Sequence, residues 1–300
     1  MAKEHRSKGL TIIELVFLVV VLVLLVGFLM PLFSRRRSVA FRMTCGDNLC
    51  RMGKAMLLYA NDYEDELPRA GGRDTIWGRT ADWMAPDRRQ AFGLQADGTG
   101  GAATISSSFY LLVKYAEVTP KVFLCGGTRE TPEKGVTEFR LGTYRLRDKG
   151  LTLTDLWDFG PDPAEHCSYA YQMIYSPHRL TMSTGPYMAI AADRNPWMDA
   201  PAAKARDFSL FMPDVPPFTG THDQARQGNT SRHQRDGQNV MFLDMHVGFE
   251  RRSYCGHLDD NIYTSWDGQD KVRGKPPKLG SQPAGEKDSL LVNDPSAARE

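Results

Sequence analysis

Residues 15–33 read LVFLVVVLVLLVGFLMPLF, 19 residues without a charge or a strongly polar side chain. At about 1.5 Å per residue a helix of that length spans roughly 28 Å, close to the hydrocarbon thickness of a bilayer. A helix apolar on every side needs lipid or protein around its whole circumference. The run therefore predicts a membrane-spanning helix at the N-terminus and leaves the remaining residues to build the folded part. The preceding nine residues, MAKEHRSKG, set Lys3, Arg6 and Lys8 against Glu4. A basic start before an apolar run is the outline of a secretory signal, but this run is too long for a signal core. No A-x-A-like cleavage site follows it, since Ser34 opens SRRRS. A plain N-terminal anchor is the other ordinary reading.

Glu14 interrupts the apolar stretch after Leu10, Ile12 and Ile13. A lone carboxylate at that depth is expensive and marks a functional site by default. The string Gly9-Leu10-Thr11-Ile12-Ile13-Glu14 resembles the type IV prepilin signature, a glycine, an apolar residue and a glutamate five positions after the glycine. The resemblance implies a prepilin peptidase, a membrane aspartyl protease that cuts between Gly9 and Leu10 and methylates the new N-terminus. Leu10 stands where phenylalanine is commonest. Pro31 matches the place of a helix-kinking proline in many pilins, and proline does remove a helix hydrogen bond. In a staggered filament the new terminal amine would meet Glu14 of a neighbouring subunit. A buried pair of that kind fixes register more than it adds stability. Arg35, Arg36, Arg37 and Arg42 follow the run, where the positive-inside rule would favour the cytoplasm. The resemblance decides for export and leaves these arginines as a headgroup-contacting turn.

Beyond the run, Leu49, Met52, Met56, Tyr59 and Tyr63 recur at spacings of three and four, an amphipathic stripe. One long helix from about residue 10 to 63 is expected. Residues 45–68, CGDNLCRMGKAMLLYANDYEDELP, resemble the bacterial pseudopilin-like segment that reads C-x-x-N-L, then an amphipathic helix, then Y-A-N-D and L-P. The acidic end of that segment reads as a solvated helix terminus, because EF-hand spacing and its glycine are missing. Residues 69–108 lack periodicity and read as loop and insertion. Residues 109–115 suggest a short helix and residues 121–125 a short strand. Residues 168–175 and 187–192 suggest strands, with Asp193-Arg194-Asn195-Pro196 as a turn. Residues 239–250 alternate as a single strand that would place Val240, Phe242, Asp244 and His246 on one face.

That last segment, with Ser231-Arg232-His233 and the Asp236-Gly237 turn ahead of it, resembles the C-terminal H-x9-DG signature of prepilin-type, processing-associated proteins. The G-Q-N-V and D-x-H-V elements are both present. The spacing from His233 to Asp244 is one longer than the signature implies, and Met245 replaces its glycine. From residue 268 the chain is polar, with Lys-Pro-Pro-Lys and Gly-Ser-Gln-Pro-Ala-Gly, and reads as a flexible tail. The expected organisation is a leader over 1–9, a transmembrane or filament-core helix over 10–33 and its amphipathic continuation over 34–67. A globular α+β head over 68–267, with a mainly antiparallel sheet, and the tail over 268–300 complete the pilin-like fold.

The five cysteines, Cys45, Cys50, Cys125, Cys167 and Cys255, form no CxxC pair. An exported domain permits one or two disulfides; five unpaired thiols are the equal alternative. Cys45 and Cys50 lie five apart on one helix and cannot bridge each other. The pilin resemblance implies a Cys45–Cys125 bridge; Cys167 with Cys255 is a second candidate pairing that the resemblance does not supply.

A formal net charge of +1 does not suggest nucleic acid as a partner. No G-x-S-x-G, H-E-x-x-H or phosphate-cradling loop occurs, so no enzyme and no catalytic residue is expected. His233, Asp244 and His246, with Asp193 as a fourth group, form the site candidate. They would be either a hydrogen-bonded cluster pinning the final loop or a metal site, for zinc or another transition ion rather than calcium. The resemblance then implies a membrane-anchored subunit of a type IV pilus-like or type II secretion pseudopilus-like filament. It would sit in the inner membrane by a single pass with its head exported. Its partners would be the prepilin peptidase, like subunits and an inner-membrane assembly platform. The alternative is a membrane-tethered binding or metal-dependent hydrolytic head that uses a pilin leader only for sorting.

Overall fold

The computed structural model describes residues 11–126, 136–178, 180–182, 184–198 and 206–295, and over 28–38 the backbone alone. The Gly9–Leu10 cleavage position lies outside the described residues. A single helix, α1 (Ile12–Asp62), opens the chain. Its start is a reciprocal capping box, in which the Thr11 N–H donates to Glu14 Oε2 at 2.8 Å and the Glu14 N–H donates to Thr11 Oγ1 at 3.4 Å. Its end is forced by Glu64 and Asp65, whose φ of 53° and 60° turn the chain left-handed. Pro31 lies within α1, whose helical backbone continues through it.

Two compact units divide this chain, Met1–Ala40 and Phe41–Glu300. The boundary falls inside α1 rather than at residues 33/34 or 67/68, because the helix enters the protein core well before its end: Cys45, Leu49, Met52, Met56 and Tyr59 are all buried. In the first unit the described apolar side chains are exposed around the helix, from Ile12 and Ile13 to Leu25 and Val26.

Among the described residues no helix is long and apolar enough to cross a membrane, which corrects the membrane-spanning segment expected from residues 15–33. The single-pass topology and inner-membrane placement that rested on that segment are withdrawn with it.

The second unit is a mixed helix and sheet structure. Its strands are β1 (Ile76–Trp77), β2 (Ala102–Ala103), β3 (Tyr169–Gln172), β4 (Ala189–Asp193), β5 (Gln238–Phe242), β6 (Val247–Glu250), β7 (Ser265–Asp267), β8 (Asp270–Lys275) and β9 (Leu291–Val292). Its further helices are α2 (Arg88–Phe92), α3 (Ile105–Tyr115) and α4 (His222–Ala225). The main sheet runs β6-β5-β4-β3-β9 with every pair antiparallel. One face packs Tyr169, Tyr171, Ala191 and Met241 with the buried side of α1 and with α3, and the other packs Ala170, Ala192, Val240 and Phe242 with Phe211, Tyr254, Ile262 and Tyr263. A register shift between Ala189 and Ala191 puts Ile190 and Ala191 on one face together, the effect of a bulge.

Three local expectations change. Residues 121–125 are not a strand; Pro120 starts a 3-10 turn, Pro120–Phe123, its fixed φ suiting the first helical position. Residues 239–250 are not one strand but the hairpin β5–β6. The Phe242 N–H donates to the His246 carbonyl at 3.0 Å, and Met245 takes φ 67°, a left-handed position that favours the glycine of the resembled signature. Over residues 268–295 the expected tail is instead folded, since β8 and β9 lie there and Asp288, Ser289, Leu290, Leu291 and Val292 are fully buried.

Gly237, between His233 and β5, has φ 152°, and a Cβ there would lie 2.2 Å from the Glu250 carbonyl oxygen. Gly237→Ala is expected to lose roughly 1–3 kcal/mol of stability, read by urea unfolding, because backbone rather than a flexible side chain blocks the space.

Buried carboxyls pin the C-terminal segment. Asp294 accepts the Ile105 and Ser106 N–H groups at 2.8 Å each, at the N-terminus of α3, and the Trp77 indole N–H at 3.0 Å. Ser106 Oγ donates to Asp294 Oδ2 at 2.7 Å and lies 3.2 Å from Asp158 Oδ1. Burial, then the charge of Asp294, pushes the Asp158 carboxyl up to about 7. Burial, then Asp288, pushes Asp260 up to about 8, and burial raises Asp288 to about 6. Raised carboxyls favour the folded state while protonated. Stability is therefore full below the unfolded carboxylate range and falls as pH rises from about 4 to about 8. A thermal midpoint measured across that window should decline, and Asp158→Asn should flatten part of the decline.

Candidate functional site

Four buried side chains from four separate parts of the head converge under the sheet. Cys45 is on the buried side of α1, and Cys125 follows the Pro120–Phe123 turn. They are joined in a disulfide with Cα atoms 5.2 Å apart, the pairing that the pilin resemblance implied. Asp193 ends β4, where its carboxylate accepts the Asn239 backbone N–H at 2.7 Å and the Asn239 amide at 3.1 Å, both on Oδ2. His233 closes a 3-10 turn, Ser231–His233, capped by Thr230. Gln234 and Arg235 follow at positive φ and reverse the chain into β5. His233 Nε2 lies 3.0 Å from Asp193 Oδ2 and 4.0 Å from Cys125 Sγ.

None of the four is more than 2% exposed. Asp193 Oδ1 is buried without a hydrogen-bond partner, whereas Oδ2 accepts from Asn239 and faces His233. A carboxylate taken from water demands such pairing, and an unmet oxygen there is costly. The surroundings hold the group in place. The Asn48 amide donates to the Leu124 carbonyl at 2.9 Å and to the Tyr169 hydroxyl at 3.1 Å, tying α1 to the segment that carries Cys125. Gly46 lets the Asn239 side chain approach, since a Cβ there would sit 3.2 Å from Asn239 Oδ1. The Tyr263 hydroxyl donates to the Asp193 carbonyl at 2.6 Å.

One ligand atom from each of Cys45, Cys125, Asp193 and His233 lies within 4.8 Å of the others, so these four could bind a metal ion. Asp244 and His246 are not part of this group, which corrects the site candidate. They form their own exposed pair in the β5–β6 turn, with His246 Nδ1 at 2.5 Å from Asp244 Oδ1 and the His246 N–H donating to the same oxygen at 3.1 Å. The hairpin explains the error: in a turn, residues two apart need not share a strand face, and Asp244 caps its own loop. Asn239, which the alternation reading treated only as a strand residue, is the link between Asp193 and His233.

The remaining cysteines are free. Cys50 is exposed, while Cys167 and Cys255 do not bridge each other. Cys167 is buried with its Sγ 3.6 Å from the Tyr169 carbonyl, and burial raises the thiol to about 12, which leaves it inert as a nucleophile at neutral pH.

Comparison with protein-family models, with curated proteins and with solved structures finds no match to this chain.

Proposed function

We propose that this protein is a pilin-like filament subunit, trimmed by a prepilin peptidase after Gly9 and assembled through the N-terminal part of α1. The observation that carries the reading is the first unit's helix surface. Isoleucine, leucine, valine and phenylalanine side chains from Ile12 to Val26 stand exposed on all sides, with Glu14 the single charge among them. An apolar surface of that kind demands a partner, and copies of the same helix supply one. The disulfide and the His233–Asp193 pair then serve as internal fasteners of the head. An imidazole and a carboxylate beside two sulfur atoms make zinc, or another transition ion, the class of metal this cluster would take.

Glu14 separates two roles. Hydrogen bonds from the Thr11 backbone and hydroxyl hold its carboxyl below the ordinary range, so it is an anion at neutral pH. In the capping box a glutamine serves as well as a glutamate, whereas pairing with a neighbour's terminal amine needs the charge. Glu14→Gln should therefore leave helix content unchanged and abolish sedimentable polymer, read by ultracentrifugation and electron microscopy of the processed protein. Polymer at the wild-type level in Glu14→Gln would confine Glu14 to capping. Processed wild-type protein that stays monomeric would contradict the filament reading.

A further inference from the structure

We infer that Cys45, Cys125, His233 and Asp193 have two states: a disulfide lock when oxidised, and a four-ligand zinc site when the bridge is reduced. The inference stands on the head alone and does not depend on the filament reading.

Three observations converge. The four candidate ligand atoms already lie within 4.8 Å of one another. Zinc bonds of about 2.0–2.3 Å place tetrahedral ligand atoms roughly 3.3–3.8 Å apart, so modest side-chain rotation completes the set. Asp193 presents one oxygen already held by the Asn239 N–H and amide and a second, Oδ1, buried with no partner. That is the arrangement of a monodentate ligand whose other oxygen is oriented by an outer shell. All four side chains are almost completely buried, which suits a closed structural site with no open position.

The chemistry balances. A dithiol reductant passes two electrons and two protons to the Cys45–Cys125 bond and becomes a cyclic disulfide, leaving two thiols. Zinc displaces both thiol protons to solvent, and the proton on His233 Nε2 shifts to the other ring nitrogen so that Nε2 can bind. Two thiolates cancel the charge of the ion. Binding releases protons, so affinity must fall as pH falls.

The test uses the full chain, reduced with a phosphine under anaerobic conditions and titrated with cobalt(II) as a spectroscopic stand-in for zinc. The reduced protein should bind about one metal per chain with a thiolate-to-cobalt charge-transfer band and tetrahedral ligand-field bands, as four nitrogen, oxygen and sulfur ligands require. The oxidised protein should show neither. Cys50→Ser should bind normally, while His233→Ala and Asp193→Ala should weaken binding by more than about tenfold. A variant-free readout guards against misfolding. At the reduced wild type's urea midpoint, zinc should slow alkylation of Cys45 and Cys125 and leave Cys50 unaffected. Equal cobalt binding by the oxidised and reduced proteins, or zinc protection at Cys50, Cys167 or Cys255 instead, would overturn the inference.

Discussion

Replacing both bridge cysteines, as Cys45→Ala with Cys125→Ala, is expected to lower the unfolding free energy by about 4 kcal/mol. The bridge spans a sequence separation of 80 residues. In the chain-entropy account, a loop of that size removes roughly 4–5 kcal/mol of freedom from the unfolded chain. The link also runs between the buried side of α1 and the segment that follows the Pro120–Phe123 turn, so its loss frees elements far apart in sequence. Both sulfur atoms are buried, and the alanines leave small gaps that add to the loss. Urea unfolding of oxidised wild type and the double variant measures the difference. A change under about 1 kcal/mol would mean that the remaining contacts already hold α1 in place, contrary to the fold described.

The second large effect is at His233. His233→Ala leaves Asp193 a buried carboxylate with neither oxygen facing a cationic or imidazole partner. Breaking a buried pair by removing one side typically loses about 3–5 kcal/mol. His246→Ala breaks a pair that is about half exposed on both sides, and such pairs are worth about 0–1 kcal/mol. The two histidines sit only 13 positions apart in the chain, so the contrast locates the working cluster. Equal losses would return Asp244 and His246 to the site; a negligible loss at His233 would show that the Asp193 pair is not a fastener.

Much of this fold is legible in local patterns. The stripe from Leu49 to Tyr59 marks the core side of α1, and its burial follows directly. Tyr63 adds to that side by stacking on Tyr59 with ring centroids 4.2 Å apart. The central strands β3 and β4 are apolar runs between turn residues. What misleads is the period-two reading of residues 239–250. Met245 hides the turn, because a methionine at φ 67° carries no turn signal of the kind a glycine would. The polar C-terminal segment misleads for a different reason. Its order comes from buried carboxyls, Asp260, Asp288 and Asp294, that accept backbone N–H groups, and composition counts them only as charge. The site was half legible. His233 and Asp193 stand out as polar residues beside apolar strands, but their assembly with Cys45 and Cys125 is a long-range event that no short spacing reveals. The apolar run itself is plain in the sequence, yet among the described residues no helix is long and apolar enough to cross a membrane.

The filament reading rests on the chain being cut where the Gly9–Leu10 resemblance places the cut. Intact-mass and N-terminal peptide mass spectrometry of the protein recovered from its native cells tests this most directly. The account predicts a mature chain that begins at Leu10 with a methylated amine, and retention of the leader in a variant with a bulky residue at Gly9. A chain that keeps Met1 and the residues after it, or that begins anywhere beyond Glu14, would contradict it.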